Sequence, residues 1–185
     1  MSNSTDLAFS AIRALVLYSL AEHQLGHATT IRVTANGNTF SVSDDGRGHA
    51  IARTVGAAPY LKFIYNHFDY PFGSDEAAPV QLQGIGMSLI NALCSELTVV
   101  VRKRDATLRL AFRDGQLCEH RVTDVTSDAS ETGNTVTGTV RPELAGDGVD
   151  VSLLEHGLQQ LLRAHPALCI VFNGATLGPA TPQTD

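Results

Sequence analysis

Apolar residues recur at helical spacing in the first stretch of the chain. Leu7, Ile12, Leu15, Val16, Leu20 and Leu25 fall on one face of a predicted helix. Asp6 or Ser4 can cap its start and Gly26 its end. Two β-type runs follow, Ile31-Arg-Val-Thr and Thr39-Phe-Ser-Val-Ser, joined through Ala35-Asn-Gly-Asn38, where Asn-Gly predicts a hairpin. Residues 50–79 lose this order. A short helix containing Leu61, Phe63, Ile64 and Phe68 is legible there, followed by a turn-rich stretch that is either functional or disordered. A helix over about 85–94 precedes three alternating runs that begin at Leu97, Thr107 and Gln116. With turns at Arg104-Asp-Ala and Asp114-Gly, these predict an antiparallel meander. A polar loop over 127–133, a strand over 135–140, a helix over 151–162 and a buried strand over 168–172 complete the pattern. Helices segregated from a mixed, largely antiparallel sheet make a two-layer α/β (α+β) sandwich, with helices on one face of the sheet.

Composition narrows the class. At 185 residues, 43% hydrophobic and 17% charged, the chain can bury one core, expected as a single domain over 1–178 with a disordered tail over 179–185. No run approaches the ~20 apolar residues of a membrane span. The N-terminus lacks a basic region ahead of an apolar stretch, so a cytoplasmic protein without membrane contact is expected. A net charge of -6 weighs against direct nucleic-acid binding. Arg102, Lys103 and Arg104 read as the solvated end of a hairpin strand. Cys94, Cys118 and Cys169 lack metal-ligand spacing and read as reduced, buried small hydrophobes, so no metal site is expected from them. His23 and His27 have the spacing of a helical metal pair, but Gly26 ends the helix between them. They read as surface or C-cap histidines.

Two glycine-bearing stretches carry the candidate chemistry. In Val42-Ser-Asp-Asp-Gly-Arg-Gly-His-Ala50 a strand delivers Asp44 and Asp45 onto a turn loosened by Gly46 and Gly48, with His49 at the rim. Downstream, Gly84-Ile-Gly86 opens an apolar helical run whose unpaired N–H groups suit an anion. Alone, each is an ordinary turn or helix cap. In this order, an acidic turn followed by a glycine-capped helix start is how a protein grips a purine base and its phosphates.

Asp44-Asp-Gly-Arg-Gly48, Gly84-Ile-Gly-Met-Ser-Leu-Ile-Asn-Ala-Leu93 and Thr132-Gly-Asn-Thr-Val136 together resemble the nucleotide-binding motifs of the GHKL superfamily. Within it, they are most similar to the ATPase domain of gyrase B and its topoisomerase IV counterpart, over about residues 14–177. The resemblance implies the Bergerat fold, with ATP or ADP as candidate ligand. It implies that Asp44 accepts a hydrogen bond from the adenine amino group, with Tyr18, Asp45, Gly46, Gly48, Gly84, Gly86 and Asn134 also around the ligand. Asn134 stands where the family has a threonine. Glu22 would pair with Arg47 to hold the turn, and residues 50–80 would form a mobile lid.

Aligned through Glu22 and Gly26-His-Ala28, the resemblance puts Ala14 at the family's catalytic glutamate and Tyr18 at its magnesium-ligating asparagine. Alanine cannot take a proton, and a phenol is a poor ligand for a hard cation. Neither ATP hydrolysis nor magnesium is therefore expected. The sequence also ends where the family's nucleotide-binding domain ends and lacks the N-terminal arm of gyrase dimers. A monomer that is not part of a topoisomerase is the expectation.

Three readings stand open. The first is a degenerate standalone domain that binds an adenine nucleotide or related small molecule without hydrolysing it. The second is a repurposed small-molecule enzyme, for example in a biosynthetic pathway, with Tyr18, Asp44, Asp45 or His49 as candidate catalytic groups. The third is an interaction module that modulates gyrase or another partner through its first helix. They rank in that order because the adenine-side motifs survive and the hydrolytic ones do not.

Overall fold

The computed structural model describes residues 4–66, 86–125 and 131–177. Gly84, His67, Phe68, the whole turn-rich stretch, residues 127–130 of the polar loop and the C-terminal tail lie outside the described residues. Helix α1 (Ser4–Gln24) leads into β1 (Thr30–Asn36) and β2 (Thr39–Asp44). After the acidic turn come β3 (Thr54–Val55), β4 (Ala58–Pro59), α2 (Tyr60–Asn66) and α3 (Met87–Leu93). The meander β5 (Cys94–Arg102), β6 (Ala106–Arg113) and β7 (Gln116–Asp124) follows. Then come β8 (Gly133–Val140), α4 (Pro142–Ala145), α5 (Val151–Ala164), β9 (Cys169–Phe172) and β10 (Ala175–Leu177). Eight strands form one sheet in the order β10-β9-β1-β2-β8-β5-β6-β7. Only the β1–β9 pair in it is parallel, so the sheet is mixed and largely antiparallel as the alternation predicted.

Alternation also sets which side is covered. Ile31, Val33 and Ala35 of β1, Phe40 and Val42 of β2, and Leu97, Val99 and Val101 of β5 are all buried. Their neighbours along each strand are more exposed, as the two-residue period of a one-sided sheet requires. Helix α1 lies over this face, burying Ala8, Ala11, Ile12, Ala14, Leu15, Val16 and Leu20. The alanines let its backbone come close to the strands. Leu25, the last residue of the predicted stripe, is outside the helix and exposed. In α5 the buried Leu154, Leu158 and Leu162 stand four residues apart, and the Asp150 carboxylate caps the helix at the Leu153 N–H, 2.9 Å away.

Several expectations change in detail. The β1–β2 hairpin closes on the Asn36–Thr39 pair, so its turn is Gly37-Asn38 with Gly37 at φ 57°. Glycine at the first central position, with Asn38 outside the positive-φ region, is the type II′ arrangement, and the expected hairpin is present. The small elements β3, β4, α4 and β10 carried too few residues to register as a periodic pattern. Cys94 is buried, and burial pushes its thiol up to about 12. Cys169 is half-buried, but Cys118 is exposed on the edge strand β7, so the expectation of three buried cysteines fails there. No described helix is long and apolar enough to cross a membrane.

Strands β2 and β8 are neighbours, which brings the Asp44 turn against the start of β8. Gly133 makes that approach possible: it has φ 127°, and a Cβ there would stand 2.0 Å from the Asp44 carbonyl oxygen. Gly133→Ala should therefore cost about 3 kcal/mol, combining overpacking with backbone strain. Chemical denaturation would measure it, and an unchanged midpoint would contradict the close approach.

Candidate functional site

The centre of the site is the carboxylate of Asp44, only 5% exposed at the end of β2. Its Oδ1 accepts from the N–H of Gly46 at 3.0 Å and of Asn134 at 3.3 Å. Its Oδ2 accepts from the Ser19 hydroxyl at 3.0 Å and from Asn134 Nδ2 at 3.4 Å. Those donors come from α1, the glycine turn and β8, and they occupy about the four lone-pair positions a carboxylate offers. Burial still raises the Asp44 pKa, against the opposing pull of these hydrogen bonds.

Around Asp44 lies a cavity of about 10 Å³ lined by both polar and apolar groups. Leu15, Val42, Met87 and Val136 supply apolar walls, and Tyr18, Ser19, His49, Tyr65 and Asn134 supply polar ones. The Tyr18 hydroxyl and His49 Nδ1 are 2.9 Å apart, with ring centroids at 4.9 Å. The His49 backbone N–H donates to Asn134 Oδ1 at 3.0 Å, so His49 is tied at both ends. Burial raises the Tyr18 phenol well above its ordinary range. It also pushes the His49 imidazole down to about 4, with Glu22 opposing and Lys103 assisting. At neutral pH the pair is uncharged.

The remaining predicted residues separate from this cavity. Asp45 turns away to accept from the N–H groups of Thr29 and Thr30 at 2.7 and 2.9 Å and from the Thr29 hydroxyl. Burial opposes its ionisation, but these hydrogen bonds outweigh it and hold the pKa low. Asp45 therefore ties the turn to β1 rather than facing a ligand in the described cavity. Gly46 packs beside the Glu22 side chain, and Gly48, at φ 70°, lies where a Cβ would stand 2.6 Å from the Arg102 carbonyl oxygen. Both glycines serve close backbone packing. Gly86 is the N-cap of α3 and does not line the cavity; α3 is only seven residues long, which makes it a weak dipole for an anion. Ala14 is buried in the core, one turn before Tyr18. His23 Nδ1–H donates to the Ala28 carbonyl at 2.8 Å, at the α1 C-terminus.

Glu22 and Arg47 form the expected bidentate pair, Arg47 Nη2 to Glu22 Oε1 at 2.8 Å and Nε to Oε2 at 3.1 Å. Arg47 is 55% exposed, however, so solvent screens a pair that braces the turn from outside. Other supports escaped the sequence reading. Ser19 was signalled only as a hydroxyl inside an apolar helical run. The Thr132 hydroxyl donates to the Gly46 carbonyl at 2.7 Å, a role its motif did not specify, and Tyr65 lies within the expected short helix but was not singled out as a site residue. Among the described residues, no group of three or more His, Cys, Asp or Glu is placed to hold a metal ion. A larger apolar recess of about 560 Å³ lies away from Asp44, between α1 and α5, with Phe9, Leu17, Leu153 and Leu161 on its walls.

This architecture has counterparts. The 43K ATPase domain of Thermus thermophilus gyrase B, in complex with an aminocoumarin, superposes with a TM-score of 0.73 at 25% identity, over 91% of this chain and 45% of that one. The topoisomerase IV ATP-binding domain of Francisella tularensis, in complex with a small-molecule inhibitor, gives 0.70 at 20% identity, over 90% and 83%. In sequence, the DNA gyrase B protein of Caulobacter vibrioides is 27% identical over 177 residues, covering 83% of this chain. The chain is a homologue of the gyrase B-type GHKL domain. The corresponding DNA topoisomerase 4 protein of Pseudomonas aeruginosa is 26% identical over 172 residues, 86% of this chain. The chain spans 21% and 26% of the length of those two relatives. No family model matches it.

The turn lends itself to two stability measurements. Glu22→Ala should cost about 1 kcal/mol, the range of a screened pair, and lower the melting temperature by about 2–4 °C. Hydrogen bonding to Arg47 depresses the Glu22 pKa, so this contribution is present above the ordinary value of 4.5 and is lost as pH falls through the folded value. Equal melting of variant and wild type at pH 7 would show that the turn is braced otherwise. His49 has the opposite chemistry. Because its pKa falls from 6.5 unfolded to about 4 folded, the unfolded chain takes up its proton first and stability declines between those values. His49→Gln should flatten that decline, and parallel pH–stability curves for the two proteins would refute it.

Proposed function

We propose that this chain is a cytoplasmic GHKL domain that binds an adenine nucleotide or a related small molecule in the Asp44 cavity without hydrolysing ATP. The observation that carries the reading is the contrast between the two sides of the site. The Asp44 turn, Ser19 and Asn134 form a continuous hydrogen-bonded cradle. The face of α1 beside it offers Ala14 and Tyr18, where the family resemblance implies a base and a metal-ligating amide. Ala14 has no group to accept a proton from water. Magnesium does not fit the α1 side either: the Tyr18 hydroxyl is engaged with His49 and burial keeps it protonated. The name that the Francisella structure carries, an ATP-binding domain, supports the ligand class.

One observation favours a second reading, a repurposed small-molecule enzyme. Tyr18 and His49 form a neutral hydrogen-bonded pair in the same cavity as Asp44, an arrangement able to move a proton to or from a bound molecule. Mass spectrometry of ligand released on denaturing the purified protein discriminates the two readings, because an adenine compound supports the first and any other compound the second.

Hydrolysis gives the direct test. Purified protein should bind an adenine compound saturably and show no magnesium-dependent ATP turnover above buffer. Turnover that Asp44→Ala abolishes would overturn the reading. The Asp44 variants need a parallel melting curve, since removing an acceptor from four converging donors costs stability as well as binding.

A further inference from the structure

Tyr65 has a role that the pattern of the chain gave no sign of. It lies in α2 with its ring on Phe112, centroids 5.7 Å apart, and is only 1% exposed. Its backbone carbonyl accepts from Asn91 Nδ2 at 3.0 Å, which anchors the residue. Its hydroxyl has no hydrogen-bond partner among the described residues, although it lines the same cavity as Asp44, Tyr18 and His49. Native proteins rarely leave a buried hydroxyl unpaired, because the group has lost water and gained nothing. The Tyr18 hydroxyl and His49 Nδ1 are engaged with each other, and the Asp44 oxygens with four protein donors. Tyr65 is thus the unspent hydroxyl of the cavity.

The lining also limits what could satisfy it. No Lys or Arg is among the cavity residues, and Asp44 is the charged group there, so a phosphate would meet an acid without a cation. The apolar walls, Leu15, Val42, Met87 and Val136, suit a planar ring. A volume of about 10 Å³ is close to a single water, so any ring must displace the Tyr18–His49 pair to enter. Among the bonds to Asp44, the one from Asn134 Nδ2 is the longest at 3.4 Å and is the first to yield to an incoming amine.

We propose that Tyr65 is a ligand-reading residue: its hydroxyl and the Asp44 carboxylate hold an uncharged, amine-bearing planar heterocycle in the cavity that the Tyr18–His49 pair closes. The proposal rests on the preceding reading for the location of the site, and adds the ligand class and a residue that selects it. Replacing a buried unpaired hydroxyl by hydrogen leaves the empty protein unharmed but deprives a ligand of a bond, so the two effects separate.

The test is calorimetry with adenine, adenosine and ATP on wild type and Tyr65→Phe, with melting curves of both ligand-free proteins. Adenine and adenosine should bind the wild type, with ATP at least about tenfold weaker. Tyr65→Phe should weaken adenine and adenosine by roughly five- to tenfold, the size of one neutral hydrogen bond. Its ligand-free melting temperature should be unchanged or higher. A ligand-free variant that melts several degrees lower would mean the hydroxyl has a partner inside the protein, which overturns the proposal. Unchanged adenosine affinity in the variant, or ATP binding as tightly as adenosine, overturns it while leaving the adenine-pocket reading intact. Absence of binding by all three probes to the wild type removes that reading and the role of Tyr65 with it.

Discussion

A carboxylate taken out of water has to be compensated where it stands, and Asp44 is compensated by three separate parts of the chain. Ser19 reaches it from α1, Gly46 from the turn, and Asn134 from β8 through both its backbone and its side chain. An ionised group buried without such partners would cost several kcal/mol. The helix, the hairpin end and the last central strand are therefore held at fixed distances from one point. Gly133 and Gly48 follow from the same constraint, since backbone must come within contact of backbone for those donors to reach. Asp45 and the Glu22–Arg47 pair hold the outside of the turn, where solvent makes each contact weaker.

The same saturation shapes what the cavity can do. A carboxylate whose lone pairs are filled by protein donors has to exchange one of them to accept an amine from a ligand. The Tyr18–His49 pair adds a second condition, because it occupies space beside Asp44 and is neutral on both sides. Among the homologous GHKL domains, one solved structure is named for ATP binding. Among the described residues, the cavity around Asp44 is lined by aromatic, aliphatic and neutral polar side chains without a lysine or arginine. The α1, turn and β8 elements are connected through Asp44, while Ala14 on the same helix packs in the core.

The order of elements was readable because several of the long elements have a clean period. Strands β1, β2, β5 and β8 alternate buried and open positions, and α5 repeats its leucines at one face, so single-residue burial follows from the pattern. The bidentate Glu22–Arg47 contact was legible through the family resemblance, yet its exposure was not, since exposure depends on what lies outside the turn. Asp45 and Asp44 are adjacent acids on one turn and look interchangeable in sequence. They diverge because strand alternation points Asp44 inward, whereas the next residue leaves the strand and meets the Thr29 and Thr30 N–H groups at the start of β1.

By itself, the sequence determined the two-layer class, the course of the meander and the acidic turn. All of these rest on local periodicity or on residue identity. Only the tertiary structure decided that Ser19 and Asn134 converge on Asp44, that Tyr18 and His49 join across 31 positions, and that Tyr65 brings to the same cavity a hydroxyl unpaired among the described residues. These contacts link α1, the turn, α2 and β8, whose spacing along the chain carries no information about distance in space. Their geometry is set by the packing of helices on the sheet and by the need to satisfy one buried charge.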